Sequence, residues 1–386
     1  MHTPSGLSMF AIPQLQLQLA DNFQSQFWQQ AESAYSHPGS RWQAALNQAC
    51  LDGFLAWIQA ERAATAQAWV KAASRPSFWE IVNGAAINCN GSRLILIPTP
   101  AIDFAELRVP QEWIDLPSWA GDYYLSIYVN LDDGDIQVLG YTTHQQLKQQ
   151  GHYNSSDRTY SCDSDDLNPD LNVLWLAQQL CPTAILRAAI DPLPQIPLEQ
   201  AENLITRLGN ATQLRPRLAV PFLLWGALIE HSGWRQQLYR QRVGLPEQWS
   251  MSKWFQTEIS ALGQQLGWEM IAMEPAVVLA RGEQNTTTKI LLRQLTIAGQ
   301  PYELRVLPKG DDLWRFELHS TSTNNIPCGV KLRLLTEDLL PFANHEDIAL
   351  TETDRLFLEV RVSPGDGLVW ETEPQPDLFD REILRF

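Results

Sequence analysis

The spacing of apolar residues changes twice along this chain, and those changes constrain its fold more than any motif does. From about residue 21 to residue 73 apolar side chains recur every three or four positions. Near residue 85 they begin to alternate, and after a helical interval they alternate again from about residue 286. A period of 3.6 turns one stripe of a helix toward a core, whereas a period of 2 turns one face of a strand. The chain is therefore expected to be α+β. A mixed helical and antiparallel-strand part covers 1–195, a helical connecting region 196–285, and a β-sandwich 286–386. A length of 386 residues agrees with more than one core.

The individual elements follow from the same spacing. Phe10 to Leu19 alternates and predicts an extended segment. Asp21 caps a helix carrying Phe23, Phe27, Trp28 and Ala31. A second helix runs from Ser40 past Trp57 with Leu46, Cys50, Phe54 and Trp57 on one face, and a third spans Gln59–Ala73, ending before Pro76. Asn90-Gly91 between Ala85–Cys89 and Arg93–Ile97 is the strongest hairpin signal, because both residues tolerate the positive φ of a tight primed turn. Tyr123–Val129 and Ile136–Tyr141 form a second pair, with Gly134 in the left-handed position. Thr142 or Thr143 then caps a short helix, and Leu171–Leu180 forms another with Val173, Leu174 and Ala177 inward.

Pro182, Pro192, Pro194 and Pro197 mark a domain edge. Beyond them come helices at Leu198–Leu208, Pro221–Ile229 and Trp234–Arg242, and one presenting Met251, Trp254, Phe255, Ile259 and Leu262. Six strands follow, at Lys289–Ile297, Tyr302–Leu307, Trp314–Leu318, Val330–Leu335, Leu356–Val362 and Leu368–Glu373, with Ile383–Phe386 as a short seventh.

The formal net charge of −16 disfavours nucleic acid and anionic membrane surfaces as partners. Arg235, Arg240 and Arg242 are the nearest thing to a basic patch and read as a solvated helix end. The five cysteines include no CxxC pair, which argues for a reducing compartment and against a structural zinc site. No window reaches the roughly 18 apolar residues of a membrane span, and no basic-then-apolar leader opens the chain, so a cytoplasmic location is expected.

No catalytic spacing emerges. The chain has neither a phosphate-binding loop nor HExxH, and its serines lack a nucleophile-elbow context. No cofactor and no metal are expected. Asp132, Asp133 and Asp135 around Gly134 lack the spacing of a calcium loop, and a charged hairpin tip accounts for them. Asp163, Asp165 and Asp166 form a denser acidic run, with Asp166 or Asp170 placed to cap the next helix. Residues 101–170 hold 13 acidic and 3 basic residues. If the two acidic loops converge, they form a negative face for a basic protein partner or a divalent ion. His144, His152 and Cys162 lie near this run without the spacing of a metal site or a thiol nucleophile. Trp113 and Trp119 in EWIDLPSWAGDYY serve either as the apolar part of that surface or as core.

Taken together, AALNQACLDGFLAWIQ, VPQEWIDLPSWAGDYYLSIYVNLDDGDIQVLGYTTHQQLK, DRTYSCDSDDLNPDLNVLWLAQQL, RLAVPFLLWGALI and LRLLTEDLLPFANHED resemble a cyanobacterial family known as a domain of unknown function, family number 1822. The resemblance covers nearly the whole chain and implies a cyanobacterial, cytoplasmic protein that accompanies signalling or regulatory proteins. It carries no catalytic residues onto this sequence. The expectation is a non-enzymatic regulatory or scaffold protein acting through protein–protein contacts. The competing expectation is an enzyme or small-ligand receptor with a site between domains.

Overall fold

A computed structural model of the protein describes residues 14–386 apart from 102–104, 182, 246–249, 261–262, 265, 274–287, 311, 323–324 and 378–379. Residues 10–13 of the expected N-terminal extension, Pro182 and Leu262 lie outside the described residues.

The N-terminal body begins with β1 (Gln16–Gln18), α1 (Phe23–Gln30) and α2 (Pro38–Glu61). Pro38 stands in the first turn of α2, and the His37 ring accepts from the Ser40 amide at 3.2 Å. One face of α2 is fully buried through Ala45, Ala49, Cys50, Phe54 and Ile58. Burial pushes the Cys50 thiol far above its ordinary pKa, so it acts as a small apolar side chain. The expected helix over Gln59–Ala73 does not form. Gln67–Ala68 is instead β2, and Pro76 lies in the first turn of α3 (Arg75–Trp79). Proline is accommodated there because the first helical amides need no internal acceptor.

The strands β3 (Ala85–Cys89) and β4 (Ser92–Thr99) meet at Asn90 and Gly91, whose φ values of 51° and 78° match the expected turn. After β5 (Glu106–Pro110) and α4 (Glu112–Asp115) come β6 (Tyr123–Asn130) and β7 (Asp135–Thr143). The main sheet has the order β1-β7-β6-β4-β3-β2. It is not wholly antiparallel as expected, because β4 and β6 run parallel from Leu94 opposite Tyr123 to Thr99 opposite Tyr128. The run Leu94 to Pro98 is buried throughout, as a strand covered on both faces requires.

The chain continues through α5 (His144–Gln150), β8 (His152–Asn154), β9 (Thr159–Asp163) and α6 (Leu171–Leu180). A small second sheet has the order β5-β9-β8. The helices α7 (Leu198–Leu208), α8 (Phe222–Glu230) and α9 (Ser232–Val243) bury Leu204, Trp225, Leu228 and Leu238 in the same apolar cluster as α2 and the main sheet. Arg235 and Arg242 are buried in that cluster's margin, not solvated. Arg235 pairs with Asp380 at 2.7 Å, and Arg242 pairs with Glu80 at 2.7 Å while donating to the carbonyls of Leu208 and Gln213. Their partners lie more than a hundred positions away in sequence, which hides them from local pattern.

A second cluster begins at α10 (Met251–Gln256) and runs to the last residue. Within the region expected to be helical, Trp268–Met273 is a strand, β10; it pairs with β11 (Thr288–Ile297). There follow β12 (Gln300–Gly310), β13 (Leu313–Ser320), β14 (Lys331–Thr336), β15 (Glu346–Ile348), β16 (Arg355–Arg361), β17 (Gly367–Glu373) and β18 (Ile383–Arg385). They form two antiparallel sheets, β10-β11-β12-β13-β16 and β15-β14-β17-β18, over one apolar cluster. Glu382 links the sheets: Trp268 of one and Trp370 of the other donate their ring N–H groups to its carboxylate at 3.2 and 2.8 Å, and Arg293 pairs with it.

The last strand also joins the two clusters. Ile383 packs among the N-terminal apolar residues, Ser232 donates to the Arg381 carbonyl at 2.7 Å, and His231 meets the Glu337 carbonyl at 2.9 Å. No described helix is long and apolar enough to cross a membrane.

Candidate interaction site

The acidic hairpin tip is built by its own backbone needs. Gly134 holds φ at 74°, and the Asn130 side chain accepts from the amides of Asp132 and Asp133 at 3.0 and 3.2 Å. Asp132, Asp133 and Asp135 remain exposed, with Gln18 donating to Asp135. The second acidic group sits elsewhere. Asp163, Asp165 and Asp166 are exposed on a short turn pinned by buried Leu167 and by paired backbone bonds between Asn168 and Tyr141. The hairpin tip lies at the Asp135 end of β7 and this turn at the Tyr141 end. Six residues of extended chain separate them, about 20 Å at ~3.3 Å per residue. The two loops therefore do not converge into one face.

Trp113 and Trp119 are 2% and 1% exposed and belong to the core. Trp113 donates to the Asn83 carbonyl at 2.7 Å, and its ring meets Trp69 and Trp119 edge-on or tilted. The Arg235 guanidinium covers Phe78 at 3.8 Å and lies 5.6 Å from Trp119. These rings supply no surface for a partner.

The structure places an apolar surface beside the second acidic turn instead. Asp170 caps α6 by accepting from the Asn172 amide at 2.9 Å. Leu171, Leu174 and Trp175 turn inward, while Val173, Leu176 and Leu180 are 45%, 53% and 70% exposed. The spacing of these three at i, i+3 and i+7 puts them on one outward stripe, and α6 carries no charged residue. Ile185, at 81%, extends the exposed apolar surface along the following loop. Val173 was expected inward; it faces out because Leu174 and Trp175 already fill the inner side. The clue in the sequence is that LNVLWLAQQL holds seven apolar residues out of ten, more than one contact face requires.

The histidines and Cys162 do not make a reactive centre. His144 is fully buried between the Ile114 carbonyl at 2.8 Å and the Ala188 amide at 3.0 Å, and burial lowers its pKa. His152 and Cys162 share a hollow of about 130 Å³ with Asp163 and Asp166. Burial, then the charges of Asp166 and Asp163, push the Cys162 thiol up, away from the thiolate a nucleophile needs. Among the described residues no group of three His, Cys, Asp or Glu side chains is placed to hold a metal ion.

A family model described as a protein of unknown function (DUF1822) matches residues 17–385, so that nearly the whole chain belongs to that family. No curated protein and no solved structure matches the chain.

Proposed function

We propose that this member of the DUF1822 family is a non-enzymatic interaction module of a regulatory or scaffold protein, and that it docks a basic, amphipathic protein segment on α6. The observation that carries this reading is the outward stripe Val173, Leu176 and Leu180, which leads directly from the exposed carboxylates of Asp163, Asp165 and Asp166. An apolar contact with an acidic border suits a helix whose apolar side is flanked by Lys or Arg, since the charges steer encounter and the apolar side chains hold the complex. Asp132, Asp133 and Asp135 take no part, being about 20 Å away along β7.

The proposal includes a β-sandwich arrangement of the two C-terminal sheets, a cyanobacterial host and a cytoplasmic setting. The five unpaired thiols agree with a reducing compartment. A labelled Leu/Lys amphipathic peptide, followed by fluorescence anisotropy, tests the reading. L176D and L180D should each weaken binding by about tenfold or more, the size of one lost central contact. The triple variant D163N/D165N/D166N should remove most of the salt dependence, whereas D132N/D133N should bind as the parent does. A peptide that fails to bind the parent, or binds L176D and L180D equally well, overturns the site.

A further inference from the structure

A cleft of about 330 Å³ lies within the N-terminal body, walled by α1 on one side and by α2 and α3 on the other. That volume suits a small metabolite and is near the lower limit for ligand pockets. Its outer wall is thin. Phe23 and Phe27 stand at i and i+4 on α1 with rings stacked at 6.1 Å, and α1 buries none of its residues completely. The opposite wall is aromatic, with Trp79 buried and Tyr35 also lining the cleft. A flat apolar group entering here would cover ring faces that are now half exposed.

Two opposite charges line the same cleft without a direct ion pair. The Gln48 side chain stands between them, its amide nitrogen donating to Asp52 at 2.6 Å and its oxygen accepting from Arg75 at 3.4 Å. The second bond of Arg75, to the Val70 carbonyl, is 3.5 Å long. Both Arg75 bonds are at the weak end of the range, so its planar donor fork keeps capacity for a carboxylate. Asp52 is at the solvent-facing rim. Partial burial raises the Asp52 pKa and lowers that of Arg75, an effect that the Gln48 bond to Asp52 and the attraction between the two charges oppose. A bare anion would meet Asp52, and a bare cation would meet Arg75. A zwitterion satisfies both.

We propose that this cleft binds a free aromatic α-amino acid, with its carboxylate on Arg75, its ammonium on Asp52 and its ring between the phenylalanines of α1 and Trp79. The chain would then sense an amino acid on a surface separate from α6.

Isothermal titration of the full chain with L-phenylalanine tests the site, with N-acetyl-phenylalanine and phenylalanine amide as probes lacking one charge each. L-phenylalanine should bind in the micromolar to millimolar range, and each analogue should lose about tenfold or more, as expected for a lost charge-assisted contact. D52N should abolish the preference for the free ammonium, and R75Q that for the free carboxylate. A72W, at an exposed rim position, should block binding while leaving the melting temperature unchanged, so the test holds even should R75Q fail to fold. Absence of saturable binding by L-phenylalanine overturns the proposal. So does binding that A72W leaves intact, or equal affinity for all three compounds.

Discussion

The two apolar clusters solve the same problem, buried tryptophan and buried charge, with different sets of partners. In the N-terminal cluster the buried Glu112 carboxylate takes the Trp225 ring N–H at 2.8 Å and pairs with Arg217, but backbone carbonyls at helix ends and loops serve as well. Trp79 donates to Gly84 and Trp113 to Asn83, while Arg242 reaches the carbonyls of Leu208 and Gln213 beyond the pairing it makes with Glu80. In the C-terminal cluster Trp268, Trp370 and Arg293 all converge on the one carboxylate of Glu382. The difference follows from backbone bookkeeping. Helix ends leave carbonyls without internal donors, whereas strands commit theirs to the ladder, so a buried indole between sheets must find a side-chain acceptor.

The sharpest test of this contrast removes Glu382. E382A leaves Arg293 buried without its counter-charge and two indole N–H groups without an acceptor. It should cost about 5 kcal/mol, the sum expected when a buried pair is broken and neutral donors are orphaned. Urea unfolding followed by tryptophan fluorescence should show the C-terminal cluster melting first. A loss below about 1 kcal/mol would mean that the sheets do not depend on this link.

In the N-terminal cluster the load is divided. R242M should cost about 3 kcal/mol by leaving Glu80 buried and unpaired, and E80M/R242M should recover at least about 1 kcal/mol of that loss. A double variant less stable than R242M would show that the carbonyl contacts of Arg242 outweigh its ion pair.

The junction between the clusters gives a smaller, pH-dependent effect. His231 accepts from the Trp234 amide at 3.3 Å through Nδ1, so Nε2 carries the proton given to the Glu337 carbonyl. Burial, reinforced by Arg381, lowers its pKa from 6.5 to about 3. Below 6.5 the unfolded chain binds a proton that the native state refuses, so stability falls as pH drops from 6.5 toward 3. The native protein should lose about 2 kcal/mol from this source between pH 7.5 and pH 5. H231N keeps a good cap for α9 and should lack that part of the slope. Denaturation midpoints at the two pH values measure the difference; parallel slopes for both proteins would place the junction's titration elsewhere. Glu317, held near 2 mainly by its hydrogen bond with His319, does not interfere, because its stabilisation is lost only as pH falls from 4.5 toward 2.

How legible each feature was depended on how local its cause is. The Asn90-Gly91 turn could be read directly, and the caps at Thr143 and Asp170 could each be narrowed to one of two candidates, because each is decided within four residues; the reciprocal Gln146 bond was not read. So could most of the C-terminal strands, whose alternation reflects one covered face. The parallel pairing of β4 with β6 could not be read, since a continuous apolar run is silent about the direction of its neighbour. The candidate site was half legible. The acidic turn at Asp163–Asp166 stood out from composition, but its separation from Asp132 and Asp133 depends on which end of β7 each loop joins.

By itself, the sequence determined most of the helices and strands, some of their caps, and that the chain carries an acidic, motif-free surface. These are properties of side chains acting on their own few residues of backbone. Tertiary structure alone decided that Arg235 and Arg242 are buried, that Trp113 and Trp119 are core while Leu176 and Leu180 are not, and that Glu382 joins two sheets. Each of those outcomes depends on a partner brought close by folding from a distant part of the chain, and hydrophobic pattern specifies that a face is covered without specifying by what.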